Sequence, residues 1–85
     1  MASLTRLVLD VLKPHQPSGL EFTRQLAELQ PGYRVKYEVV EVDEKTESVV
    51  ITIEAENIDF EQFNDAISRL GGSLHSVDEV EFNNP

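Results

Sequence analysis

The amino-acid sequence predicts an α+β domain whose elements run strand–helix–strand–strand–helix–strand. Three observations carry the prediction. Four segments alternate apolar and polar residues at the period of a strand, and two others repeat apolar residues at helical spacing. Each helical segment opens on a capping residue and closes at glycine. The two middle strand segments are separated only by a short polar link, as in a hairpin.

The first strand is expected over Leu4–Leu12. Leu7, Leu9 and Val11 share one face, and Arg6, Val8 and Asp10 share the other. Lys13-Pro14-His15-Gln16-Pro17 is expected to end it, because two prolines do not continue a ladder. Ser18 and Glu21 have the spacing of a capping box, so a helix is placed at about residues 18–30, with Phe22, Leu26 and Leu29 inward. Pro31-Gly32 stops it.

Tyr33–Val42 alternates again. Tyr33, Val35, Tyr37 and Val39 lie on one face, and Arg34, Lys36, Glu38 and Val40 on the other. Asp43-Glu44-Lys45-Thr46 makes the polar turn, and Glu47–Glu56 is the returning strand with Val49, Ile51, Ile53 and Ala55 inward. The second helix is signalled most fully. Asp59 is its cap, Gln62 stands three residues on, Ile58 and Phe63 form a hydrophobic staple, and Gly71-Gly72 closes it. The last strand, Ser73–Phe82, loses its alternation around His75-Ser76-Val77-Asp78, which predicts a bulge.

Two helices then cover one face of a four-stranded antiparallel sheet, the ferredoxin-like βαββαβ arrangement. Right-handed crossovers give the strand order 4-1-3-2, with the second and fourth strands at the edges. A single domain spanning residues 1–85 is expected.

Composition narrows the function classes. Sixteen Asp and Glu against seven Lys and Arg give a net charge of −9. That lacks the basic stripe that phosphate neutralisation demands, so no nucleic-acid partner is expected, and an acidic surface repels anionic membranes. With no cysteine, disulfides, thiolate metal sites and cysteine nucleophiles are excluded. The apolar run in Met1–Leu12 is short and interrupted by Arg6 and Asp10. Neither a signal peptide nor a membrane span of roughly 18 residues is expected, and the location expected is cytoplasmic. A chain this short buries only about 60–65% of its unfolded surface, which leaves oligomerisation or a carboxylate-bound cation to supply stability.

Two surfaces are candidates for a site. One is the uncovered sheet face with Arg6, Val8, Asp10, Arg34, Lys36, Glu38, Val40, Val50, Thr52 and Glu54, read either as a solvated face with cross-strand ion pairs or as a subunit interface or ligand platform. The other is the polar set Asp10, His15, His75, Ser76, Asp78 and Glu79, which the antiparallel first and fourth strands bring towards one another. Asp10, His15, His75, Ser76 and Asp78 are the candidate ligand-binding residues. Asp10, His15, His75, Asp78 and Glu79 are the candidate metal ligands. Two imidazoles with carboxylates suit a transition metal, and carboxylates alone suit a hard divalent cation such as calcium. Asp43, Glu44 and Glu47 in the hairpin turn offer a weaker carboxylate site without the turn glycine of a calcium loop.

Catalytic patterns are sparse. Gly71-Gly72 follows a helix where a phosphate loop would precede one. His75, Ser76 and Asp78 contain the letters of a triad, but neighbours on a strand point to opposite faces, so His75 and Ser76 do not form a nucleophile–base pair. A non-catalytic protein is favoured. The alternative is a metal-dependent or acid–base enzyme using His15, His75 and Asp78.

Leu7–Pro17 (LVLDVLKPHQP), Thr46–Phe60 (TESVVITIEAENIDF) and Leu70–Phe82 (LGGSLHSVDEVEF) resemble, in order and spacing, the archaeal domain-of-unknown-function 211 family. The Lys-Pro-His turn combined with the Gly-Gly-x-x-His-Ser-x-Asp-Glu-Val ending carries the likeness. The resemblance implies a ferredoxin-like fold, assembly into homo-oligomeric rings, and no established activity, so no catalytic residue carries over. The matching motif positions are Asp10, Lys13, Pro14, His15, Glu54, Gly71, Gly72, His75, Ser76, Asp78 and Glu79. Ala55, where the family tends to have glycine, and the link Pro31-Gly32-Tyr33-Arg34 depart from the pattern. The reading is a homo-oligomeric cytoplasmic protein, assembled through its open sheet face or edge strands. A small ligand or divalent cation is then expected in a regulatory or structural role.

Overall fold

The computed structural model describes residues 1–85. Its elements are β1 (Ser3–Pro14), α1 (Gly19–Ala27), β2 (Arg34–Val42), β3 (Thr46–Glu54), α2 (Phe60–Arg69) and β4 (Ser73–Asn83). The sheet order is β2-β3-β1-β4, with every neighbouring pair antiparallel. This is the expected order, read from the other edge, and the fold is the ferredoxin-like α+β arrangement.

Strand alternation builds the core. Leu7, Leu9 and Val11 of β1 and Val49, Ile51 and Ile53 of β3 are buried, and in the ladder Leu7 faces Ile53, Leu9 faces Ile51 and Val11 faces Val49. Phe22 and Leu26 of α1 and Phe63, Ala66 and Ile67 of α2 close the layer above them. Each fully buried side chain of this size contributes roughly 1.5–3 kcal/mol from leaving water.

Both helix starts form as their capping residues require. The Ser18 hydroxyl accepts from the Glu21 N–H at 3.2 Å, and the Asp59 carboxylate accepts from the Gln62 N–H at 3.2 Å. At the end of α2, Gly71 takes φ +87°, its N–H reaches the Ser68 carbonyl at 3.0 Å, and the Gly72 N–H reaches that of Ile67 at 2.9 Å. That is the paired closure of a glycine-stopped helix. Helix α1 is shorter than the expected 18–30, because Glu28 already caps it and residues 28–32 turn away.

Two strand expectations are revised. β1 does not stop at Leu12: Lys13 pairs with Glu47 and Pro14 with Thr46, so the strand ends on its proline. The irregularity of β4 resolves into two separate bulges. Val8 faces Glu79 and Leu9 faces Val77, leaving Asp78 as an extra residue. Asp10 faces Ser76 and Val11 faces Leu74, leaving His75 as another. In the same ladder Leu4 faces Phe82 and Arg6 faces Glu81, leaving Thr5 of β1 as a third extra residue, and the opposite edge carries a fourth, at Val40 of β2. No helix is long and apolar enough to cross a membrane.

Candidate functional site

The residues singled out from the sequence fall into two groups at different places. Asp10, His75, Ser76, Asp78 and Glu79 gather along β4 and its neighbour β1. Asp10 is the ladder partner of Ser76, whose hydroxyl donates to the Asp78 carboxylate at 2.6 Å. His75 borders a shallow cavity of about 260 Å³ with Asp10, Val11, Leu12 and Ser48. Glu79 is held by the Arg6 guanidinium at 2.5 Å, and Arg6 bridges on to Glu54 at 2.9 Å. That double engagement raises the Arg6 pKa further, chiefly through the bond to Glu79. His75, Ser76 and Asp78 are neighbours in the chain, and the two bulges leave His75 and Asp78 without ladder partners on this edge strand.

His15 lies elsewhere. Its Nδ1 is 3.2 Å from the Glu47 carboxylate, and its Nε2 is 2.9 Å from the Asp43 carbonyl and 3.1 Å from that of Glu44. Both ring nitrogens therefore face acceptors, an arrangement that suits the imidazolium. The His15 pKa is raised accordingly, first by the bond to Glu47 and then by the Asp43 carbonyl. The expectation that His15 comes towards His75 is thus not met: the proline turn carries His15 across to the β2–β3 turn. No three His, Asp or Glu side chains gather at metal-holding spacing within the chain. In the hairpin turn, Asp43 and Glu44 engage His15 through backbone carbonyls, while Glu47 turns inward.

Glu47 turns inward because Lys13 does. Lys13 is in phase with Leu7, Leu9 and Val11, Glu47 is in phase with Val49, Ile51 and Ile53, and the two are ladder partners. The Lys13 side chain is 0% exposed. Its Nζ donates to the carbonyls of Pro14 at 2.7 Å and Pro17 at 2.5 Å, and lies 3.5 Å from Glu47 Oε1 and 5.7 Å from the centre of the Phe22 ring. Two carbonyl acceptors and a nearby carboxylate meet the ammonium over an aromatic face, which is how a buried charge of this kind is tolerated. The Tyr37 hydroxyl donates to the same Glu47 carboxylate. Glu47 is held below the usual carboxylate range, first by Tyr37, with His15 and Lys13 acting the same way. Burial raises the Tyr37 phenol well above its ordinary value, and the Glu47 charge adds to it. This knot was missed as a unit in the sequence. The signal for it was the strand phase of Lys13 and Glu47.

The sheet edges present the opposite chemistry. On β4, Val77, Val80 and Phe82 are exposed, Phe82 at 60%. With Leu4, Leu7 and Phe60 they line a wholly apolar groove of about 290 Å³. On β2, Val39, Val40 and Val42 are exposed, Val40 at 67%. Helix α1 packs toward β2 and α2 toward β4, and neither covers these strips.

Comparison with known proteins finds likeness along nearly the whole chain. The family model DUF211, described as uncharacterized ArCR, matches residues 5–83. An uncharacterized protein of Methanocaldococcus jannaschii, MJ0319, is 42% identical over 80 residues, which span 94% of this chain and 82% of that one. With a family match over nearly its whole length and a relative of this identity, the chain belongs to the domain-of-unknown-function 211 family.

Proposed function

We propose that this protein is a non-catalytic, self-assembling domain that completes its sheet edges with further copies of itself and holds a small ligand or divalent cation where those copies meet. The observation that carries the reading is the pair of bare apolar strips, Val39, Val40 and Val42 on one edge and Val77, Val80 and Phe82 on the other. A domain of this size has little hydrophobic area to spare. Contiguous exposed apolar surface of this kind marks an interaction site. An unpaired strand edge is itself a template for another chain.

The ligand part of the proposal rests on position. Asp10, His75, Ser76 and Asp78 lie on or beside the β4 edge, so whatever they bind sits against the neighbouring subunit. Within one chain they supply too few donors for a cation, so the neighbour would have to complete the set. Nothing in their geometry supplies a base to the Ser76 hydroxyl other than Asp78, which favours binding over catalysis.

Native mass spectrometry tests both parts at once, because it reports stoichiometry and retained ligand together. The expected result is a defined multimer of the 9.6 kDa chain. Its mass should rise by that of a bound ion when calcium is added, and the increment should vanish in Asp78→Asn. A monomer at all concentrations contradicts the assembly, and a multimer indifferent to calcium contradicts the cation.

A further inference from the structure

The ladder registers place the residues of all four strands in rows that run straight across the sheet. One row on the uncovered face reads Arg34 of β2, Glu54 of β3, Arg6 of β1 and Glu81 of β4. The charges alternate in sign from edge to edge. The next row reads Lys36, Thr52, Val8 and Glu79, again basic at the β2 edge and acidic at the β4 edge. Between them, on the helix side, lies the apolar row Val35, Ile53, Leu7 and Val80. Arg6 is satisfied within the sheet, bridging Glu54 of its own row and Glu79 of the next. The outer members are not: neither Arg34 nor Glu81 takes part in any of the chain's ion pairs.

We infer that a second copy of this chain docks its β2 edge onto the β4 edge of the first in unshifted register, so that Arg34 meets Glu81 and Lys36 meets Glu79 across the join. The inference rests on the self-assembly proposed above and names its direction and register. Four features of the chain support it. β2 and β4 run in opposite directions within the sheet, so a copy moved sideways presents β2 antiparallel to β4, the pairing the rest of the sheet uses. The stretches free of an extra residue are Arg34–Val39 on β2 and Glu79–Asn83 on β4, and they share the three rows in which Arg34–Lys36 stand level with Glu81, Val80 and Glu79. Bulges at Val40, His75 and Asp78 interrupt the remainder of both edges, and such interruptions discourage pairing there.

The third feature is selectivity. β4 carries Asp78, Glu79 and Glu81 and no lysine or arginine, so two β4 edges repel each other. The β2 stretch offers Arg34 and Lys36. The fourth is apolar continuity. In this register Val35 arrives beside Val80, and Tyr37 beside Val77, on the side where the groove under β4 lies open. Such an interface joins unlike edges, so each added copy leaves one of each free. It closes into a ring or runs on as a filament.

Two substitutions test the register without breaking an ion pair inside the chain, because neither residue has such a partner there. Arg34→Glu and Glu81→Arg are each examined by light scattering, with circular dichroism to show that the fold is intact. Each alone is expected to raise the concentration needed for assembly about tenfold or more, the effect of one close interfacial charge pair inverted. An equimolar mixture of the two is expected to reassemble with the variants alternating. In that order every join again sets an acidic group against a basic one. Raising the salt from about 50 mM to about 500 mM should weaken wild-type assembly in the same direction. If wild type assembles and both variants assemble equally well, or the mixture fails to recover, the register is wrong while the assembly stands. If wild type is a monomer, both the assembly and this inference fall.

Discussion

Two ends of the same sheet invert the usual rule of what is buried. At the end where β1 finishes, a lysine and a glutamate lie inside, and every donor and acceptor among Lys13, Glu47, Tyr37 and His15 has a partner. Along the far half of β4, valines and a phenylalanine lie outside with nothing over them. The first region is polar, buried and structurally complete. The second is apolar and bare. The contrast teaches where to look for what the monomer lacks: the polar knot explains itself within one chain, and the apolar edge does not.

The comparison breaks most visibly at Glu47. In Glu47→Ala the Lys13 ammonium keeps two carbonyls and loses its counter-charge. The cost is expected to be about 3 kcal/mol in urea unfolding, the usual consequence of leaving one member of a buried pair alone. A loss below about 1 kcal/mol would mean that the two carbonyls and the Phe22 ring suffice. Phe63→Ala, in the ordinary apolar core, provides the scale at about 3–5 kcal/mol. Lys13→Met should cost less than Glu47→Ala, about 1–2 kcal/mol, because Glu47 retains Tyr37 and His15 and is partly solvated. The reverse order of the two would show that the lysine, and not the carboxylate, organises the turn.

How much of this was legible in the sequence depended on whether a residue's role followed from its neighbours in the chain. Six elements, both N-caps, the glycine stop of α2 and the strand order were legible, because alternation, capping and crossover handedness are local or topological rules. The last strand was expected to be irregular around His75–Asp78, and the structure divides that irregularity into extra residues at His75 and Asp78. The Lys13–Glu47 pair was not legible as a pair. Lysine next to proline reads as a surface turn, and only the ladder, formed between residues 34 positions apart, turns it inward. His15 misled for the same reason: adjacency of the first and fourth strands suggested His75 as its neighbour, whereas the proline turn delivers it to Glu47.

At the apolar edge the sharper test is Val80→Asp. Val80 is 55% exposed, so the substitution should change the stability of an isolated chain by no more than about 0.5 kcal/mol, the usual range for surface positions. It should nevertheless abolish assembly. A large loss of monomer stability without a change in association would assign Val80 to the chain's own core.

The smallest expected effect is that of pH on the knot. Glu47 titrates below its ordinary value in the folded chain, so its contribution is present above about pH 4.3 and is lost as pH falls through the lowered value. His15 titrates above its ordinary value, so its contribution is present below about pH 6.5 and is lost as pH rises through the raised value. The tie between the proline turn and the β2–β3 turn is therefore firmest between those two limits. An NMR titration of the His15 ring should give a midpoint above about 6.5 that drops in Glu47→Gln. An unchanged midpoint would detach His15 from the knot.

The central claim is that the bare edges of this sheet are completed by further copies of the chain. Light scattering of the wild-type protein over a range of concentrations measures this directly. The account predicts an assembly whose mass is a multiple of 9.6 kDa, and a mass of 9.6 kDa at every concentration would contradict it.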